Sequence, residues 1–237
     1  MKRAFPILAV LTGVLLSYAL YQALVVAPTE QTMGDVQRIF YYHVPSAWTA
    51  FILFFINFVA SIVYLIWRNA KADMLALVTA EVGVVFCTVN LVTGPIWARP
   101  VWGIWWTWDL RLTLTLVLWL IYVSYLVLRR FSSSGQTPLL AAVLAVFGAL
   151  DVPLVYFSIW FFRTQHPQPV IGGGGSLDPR MWHALLINWL AFSCFAALVC
   201  WSRYRLEVLR RDLDETLALE ALLEPRGSQA RSSQAKS

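Results

Sequence analysis

Six apolar stretches of about 20 residues, at 5–27, 45–67, 73–93, 112–130, 138–162 and 181–202, divide the chain. A bilayer core of about 30 Å asks for a helix of about 20 apolar residues, because backbone N–H and C=O groups have no water to pair with there. The pattern specifies an all-α polytopic membrane protein with six transmembrane helices. Composition points the same way. Hydrophobic residues make up 59% of the chain and charged residues 13%, against roughly 45–50% and about 25% in a soluble domain. This argues against a soluble enzyme.

The charges between the stretches orient them. With the N-terminus in the cytoplasm, 13 of the 18 basic residues fall on the cytoplasmic side, among them Lys2, Arg3, Arg68, Lys71, Arg129 and Arg130. Five fall outside: Arg38, Arg99, Arg111, Arg163 and Arg180. The excess of Lys and Arg on the inner side gives an N-in/C-in topology. The net charge of +5 accompanies no nucleic-acid motif, so it reads as membrane orientation rather than DNA or RNA binding. The first run lacks a convincing cleavage site and reads as a retained helix.

This topology places segments 28–44, 94–111 and 163–180 outside, together with all three histidines, His43, His166 and His183. Asp178-Pro179 forms an N-cap with proline at the first helical position, opening the last span, and Pro45 suits the first turn of the second. Beyond the membrane domain at 1–202, residues 203–223 read as a cytoplasmic amphipathic extension. Leu206, Leu209, Leu213 and Leu217 recur there every three or four residues. Residues 224–237 read as a disordered tail.

Several chemistries find no support. Cys87, Cys194 and Cys200 lie within apolar runs and form no CxxC pair, which argues against a thiol-redox, zinc or iron–sulfur site. The run Gly172–Gly175 lacks the GK[ST] context of a phosphate loop. Glu81 and Asp151 sit inside spans, where an ionisable group is a functional candidate by default. Asp151 is two residues before Pro153, which removes a helix hydrogen bond and kinks the fifth span. A polar contact at that kink is the plainer reading.

The outer loop is the unusual feature. Residues 97–108 hold five of the chain's twelve tryptophans: Trp97, Trp102, Trp105, Trp106 and Trp108. One or two would be an ordinary interfacial belt. Five suit a platform for a large, flat, apolar ligand such as a porphyrin or a quinone, because indole offers rigid area and one N–H donor. Neutral imidazoles on opposite faces would hold a haem iron axially. The residues alone do not choose which pair of histidines matters.

The stretch Trp102-Gly103-Ile104-Trp105-Trp106-Thr107-Trp108-Asp109-Leu110-Arg111-Leu112-Thr113, with Tyr42-His43-Val44-Pro45 and the six spans, resembles the WWD family of haem-handling proteins of cytochrome c maturation. The similarity covers about 28–200 and is strongest to the haem exporter protein C (CcmC) group. It implies a haem platform of Trp102, Gly103, Trp105, Trp106, Trp108 and Asp109. It implies axial ligands at His43 and, through Phe161-Phe162-Arg163-Thr164-Gln165-His166-Pro167, at His166 rather than His183. Phenylalanines stand there in place of the family's paired tryptophans, and proline follows the histidine. Arg99, Arg111 and Arg163 are candidates for the propionates, with lipid-headgroup anchoring as their ordinary role. Asp109 reads as shaping the loop.

The resemblance further implies haem b as a transported ligand, bound at the periplasmic face of the bacterial inner membrane. It implies handover to the haem chaperone CcmE within an ABC-type complex of CcmA, CcmB and CcmD, so a transport role and not an enzyme. No nucleotide-binding motif is present in the chain, in keeping with an ATPase elsewhere in such a complex. The competing reading is a quinone-binding membrane subunit of an oxidoreductase, with Glu81 carrying protons. A structural scaffold for a transporter is a third.

Overall fold

The computed structural model describes residues 4–132, 134–162, 164, 166–167 and 177–223. The basic flank Met1–Arg3, Arg163, the run Gly172–Gly175 and the tail 224–237 lie outside the described residues. Seven α-helices run among those described: α1 Ala4–Tyr21, α2 Phe40–Trp67, α3 Ala70–Trp102, α4 Leu110–Phe131, α5 Thr137–Ala149, α6 Asp151–Phe161 and α7 Pro179–Leu223. Six segments are long and apolar enough to cross a membrane, with α5 and α6 together making one of them. The chain is an all-α polytopic membrane protein.

The hairpin of α2 and α3 is the centre of the bundle. Its turn is two residues long. Arg68 takes a left-handed conformation (φ 52°) and its N–H donates to the Tyr64 carbonyl at 2.8 Å, ending α2. The Asn69 side chain then accepts from the N–H groups of Lys71 and Ala72, starting α3. Gly83 lets the two helices approach closely. A Cβ there would stand 2.7 Å from the Phe54 ring, which is itself stacked on Tyr122 of α4 at 3.8 Å. Phe54, Tyr122, Tyr125 and Leu118 are fully buried and form the middle of the core.

Several polar groups inside the bundle are paired between helices, as a low dielectric favours. Asn57 of α2 donates to the Ala76 carbonyl of α3 at 2.7 Å, and Trp119 of α4 donates to Thr88 of α3 at 2.8 Å. Asn188 of α7 donates to the Ala19 carbonyl of α1 at 3.0 Å. Glu81 forms a bidentate pair with Arg203 of α7, both contacts at 2.8 Å. Asp73 accepts two bonds from Arg129 of α4 and one from Arg211 of α7.

Several helix limits differ from the sequence reading. The second span starts at Phe40, so His43 is helical and Pro45 is the sixth helical residue, not part of the first turn. The third span continues from 93 through Pro95 and Pro100 to Trp102. Trp97 and Ala98 pack this extra length against the start of α2, with Trp97 edge-on to Phe40 at 6.1 Å and Ala98 buried. That burial outweighs the hydrogen bonds the two prolines remove. The connection to α4 is therefore only Gly103–Asp109.

The fifth span breaks at Leu150, three residues before Pro153, which leaves the Ala149 carbonyl without its helical N–H. Asp151 is buried at this break, but its Oδ2 has no hydrogen-bond partner among the described residues. At the last span, Asp178 accepts from the Arg180 N–H at 2.8 Å and Pro179 opens α7.

The turn gives a paired prediction. Asn69→Ala removes the α3 cap and lowers stability by about 1 kcal/mol. Arg68→Gly relieves a left-handed residue and raises stability by up to about 1 kcal/mol. Thermal unfolding of the two variants in detergent should shift in opposite directions.

Candidate functional site

A cavity opens at the end of the bundle where α2 begins and α3 ends. His43, in the first turns of α2, projects into it from one side, and His166, beyond the end of α6, from another. Their rings are 6.5 Å apart between centroids and inclined at 32°. Trp97, Trp102 and Trp106 line the same cavity, with Phe40 and Trp48 of α2 and Tyr156 of α6. Arg111, from the first turn of α4, completes the wall.

His43 is buried and held on its far side by α3. Thr93 spends its hydroxyl proton on the Val89 carbonyl at 2.7 Å. Its oxygen therefore accepts from the His43 ring, with Nδ1 at 2.9 Å. This sets the neutral tautomer with the proton on Nδ1 and a lone pair on Nε2. The Asn90 amide lies 3.2 Å from Nε2 and donates to the His43 carbonyl, also at 3.2 Å. Trp97 meets the ring edge-on at 5.7 Å. Gly94 lies under the ring, where a Cβ would stand 3.4 Å from Cε1.

His166 has the same arrangement by other means. Its Nδ1 lies 2.9 Å from the Pro167 carbonyl, which can only accept, so the proton sits on Nδ1 and Nε2 keeps its lone pair. Its backbone N–H donates to Thr164 Oγ1 at 3.1 Å. Burial pushes the His166 pKa down to about 4, and the Arg111 charge pushes the same way. The ring is thus neutral across the range where a free histidine protonates.

Three further donors bear on the cavity. Trp97 Nε1, Trp106 Nε1 and Arg111 Nη1 are buried and have no hydrogen-bond partner among the described residues. A buried donor left unpaired costs about 1–3 kcal/mol; the three belong to residues of the cavity wall, with the donor atoms themselves covered by protein.

The residues singled out in the sequence divide into two sets. His43, His166, Trp102, Trp106 and Arg111 come together at the cavity. Trp105 and Trp108 are 59% and 76% exposed, and Trp108 meets Trp106 edge-on at 5.8 Å. Gly103 ends α3 in a left-handed conformation (φ 77°), and the exposed Arg99 donates to its carbonyl. Asp109 caps α4, accepting from the Leu112 N–H at 3.0 Å and from the Thr107 hydroxyl at 3.1 Å. His183 lies away from the cavity, 3.3 Å from the Tyr18 hydroxyl on the seam of α1 and α7.

Asn90, Thr93 and Tyr156 join the site without having been chosen from the sequence, and Trp97 joins it from the tryptophan cluster although the resemblance did not single it out. The spacing of Asn90, Thr93, Gly94 and Trp97 at three- and four-residue steps was the available signal, since it sets them on one face of a helix. Glu81 is nine residues from Asn90 along α3, roughly 13 Å at 1.5 Å per residue, and it is engaged by Arg203.

This cavity lies within a chain that a family model described as heme exporter protein C matches over residues 1–219. The chain belongs to the heme exporter protein C family. The protein of that name in Bradyrhizobium diazoefficiens is 35% identical over 222 residues, covering 92% of this chain and 84% of the relative. The heme exporter protein C of Escherichia coli K12 is 31% identical over 201 residues, covering 84% and 82%. A putative cytochrome c biosynthesis ccmC-like mitochondrial protein of Marchantia polymorpha is 31% identical over 182 residues, covering 76% of each chain. The family's description is that of an exporter.

The electrostatics of His166 yield a prediction. Followed by NMR in the ligand-free protein, its ring should titrate near pH 4. Arg111→Gln removes the second depressing cause and should move that titration part of the way toward the ordinary value of about 6.5. Burial, the larger cause, remains.

Proposed function

We propose that this member of the heme exporter protein C family binds haem b at the periplasmic face of the bacterial inner membrane. It delivers the haem to the chaperone CcmE during c-type cytochrome biogenesis, within an ABC-type complex with CcmA, CcmB and CcmD. The observation that carries the reading is the close pair of imidazoles at one cavity, 6.5 Å between ring centres. Two metal–imidazole bonds of about 2 Å, with roughly 1 Å more from each nitrogen to its ring centre, need about 6 Å. His43 and His166 are then the axial ligands, each offering Nε2.

The other residues bind and orient. Trp97, Trp102 and Trp106 give flat apolar walls for a porphyrin. Arg111, unpaired and buried at its Nη1, takes a propionate. Arg99 and Arg163 remain candidates for the outer propionate. Trp105 and Trp108, exposed at the mouth, offer an apolar surface to the protein that receives the haem. Asp109 and Gly103 hold the turn that presents them. A closed bis-imidazole site needs no substrate water, which suits carriage rather than catalysis.

Thr93 and Asn90 position His43 through its Nδ1 proton and its backbone. A hydrogen bond of this kind fixes the tautomer and strengthens the ligand.

Haem titration of the purified protein tests the reading. His43→Ala and His166→Ala should each abolish the six-coordinate Soret spectrum and weaken binding, while His183→Ala leaves both intact. An unchanged spectrum in His43→Ala would falsify the assignment. Thr93→Val, nearly equal in shape, should keep six-coordination yet weaken haem affinity by roughly tenfold or more.

A further inference from the structure

At the end of the bundle opposite the histidines, α7 continues past the membrane as one unbroken helix to Leu223. Its 45 residues span roughly 67 Å, more than twice a bilayer core of about 30 Å. The first part of the extension is clamped. Arg203 is bound to Glu81, and Arg211 to Asp73 and to the buried Glu207. Beyond Arg211 every residue to Leu223 is exposed.

That free segment is rich in Leu, Ala and Glu, strong helix formers, and extends a helix already nucleated. It also carries leucines in the open. Leu206, Leu209, Leu213 and Leu217 form one stripe and are 58%, 63%, 57% and 53% exposed. From Asp212 to Leu223 the charges are Asp212, Asp214, Glu215 and Glu220, with no basic residue.

Those charges decide what covers the stripe. Anionic headgroups would repel this segment, where Arg210 offsets only Asp214 of the four carboxylates, and Leu213 stands roughly 16 Å along the helix beyond residue 202. A second copy in the same membrane would lie parallel and set acid against acid. Residues 224–237 contain no Leu, Ile, Val, Phe or Met with which to bury leucines. We propose that the acidic part of the α7 stripe, at Leu213 and Leu217, docks into an apolar groove rimmed by Lys and Arg on a separate, water-soluble protein or domain. This is the helix-in-groove mode, with anchors every three or four residues.

The test places a photoreactive benzoylphenylalanine at Leu213 or Leu217 of the full chain, in cells making the native complex. The expected result is one heterologous adduct, mapped by mass spectrometry to a surface where apolar residues are flanked by Lys or Arg. The triple reversal Asp212→Lys, Asp214→Lys and Glu215→Lys should cut that adduct by roughly fivefold or more, with membrane insertion unchanged. Adducts with lipid or with a second copy would overturn the proposal. So would no adduct, or a heterologous adduct that is indifferent to the reversal.

Discussion

The antiparallel packing of α2 on α3 is the constraint on which the rest of the structure depends. A two-residue turn fixes the register of two long helices, and Gly83 allows them to close on Phe54. Register then decides the chemistry at the far end. His43 lies 25 residues before Arg68, and Asn90, Thr93 and Gly94 lie at a matching distance after Asn69. His43 meets the side chains of Asn90 and Thr93, far away in sequence, because a turn at the opposite end sets where each helix begins.

Two different devices produce the same state of imidazole. At His43 a helical threonine, whose own proton is committed to its i−4 carbonyl, accepts the Nδ1 proton. At His166 a backbone carbonyl does so. Both leave Nε2 unprotonated. Arg111 reinforces this at His166 by disfavouring a second positive charge nearby. The same arginine has its Nη1 buried without a partner among the described residues, so its charge adds to burial in keeping His166 neutral.

Much of this was legible in the sequence, and the failures have physical causes. The six spans follow from the free energy of burying backbone in lipid, which depends on composition alone. The kink near Pro153 and the cap at Asp178 follow from local stereochemistry, whereas Asp109, read as shaping the loop, proves to cap α4. The end of α3 did not, because Pro95 and Pro100 read as breakers until the tertiary packing of Trp97 and Ala98 is known. For the same reason the tryptophans looked equivalent. Trp97 and Trp106 reach the cavity while Trp105 and Trp108 face outward, a distinction set by a turn whose geometry sequence spacing does not encode. Glu81 and Asp151 looked alike as intramembrane acids, yet one has an arginine and the other has an unpartnered oxygen.

Near the cavity, Met181, Ala184 and Leu185 of α7 pack in one cluster with Phe40 and Trp97, and Trp189 leans edge-on against Trp48 at 5.4 Å. Farther along, the same helix passes the buried carboxylate of Asp73 and ends in the open. The free tip and the indole cluster thus belong to one continuous helix, gripped between them by the arginine clamp.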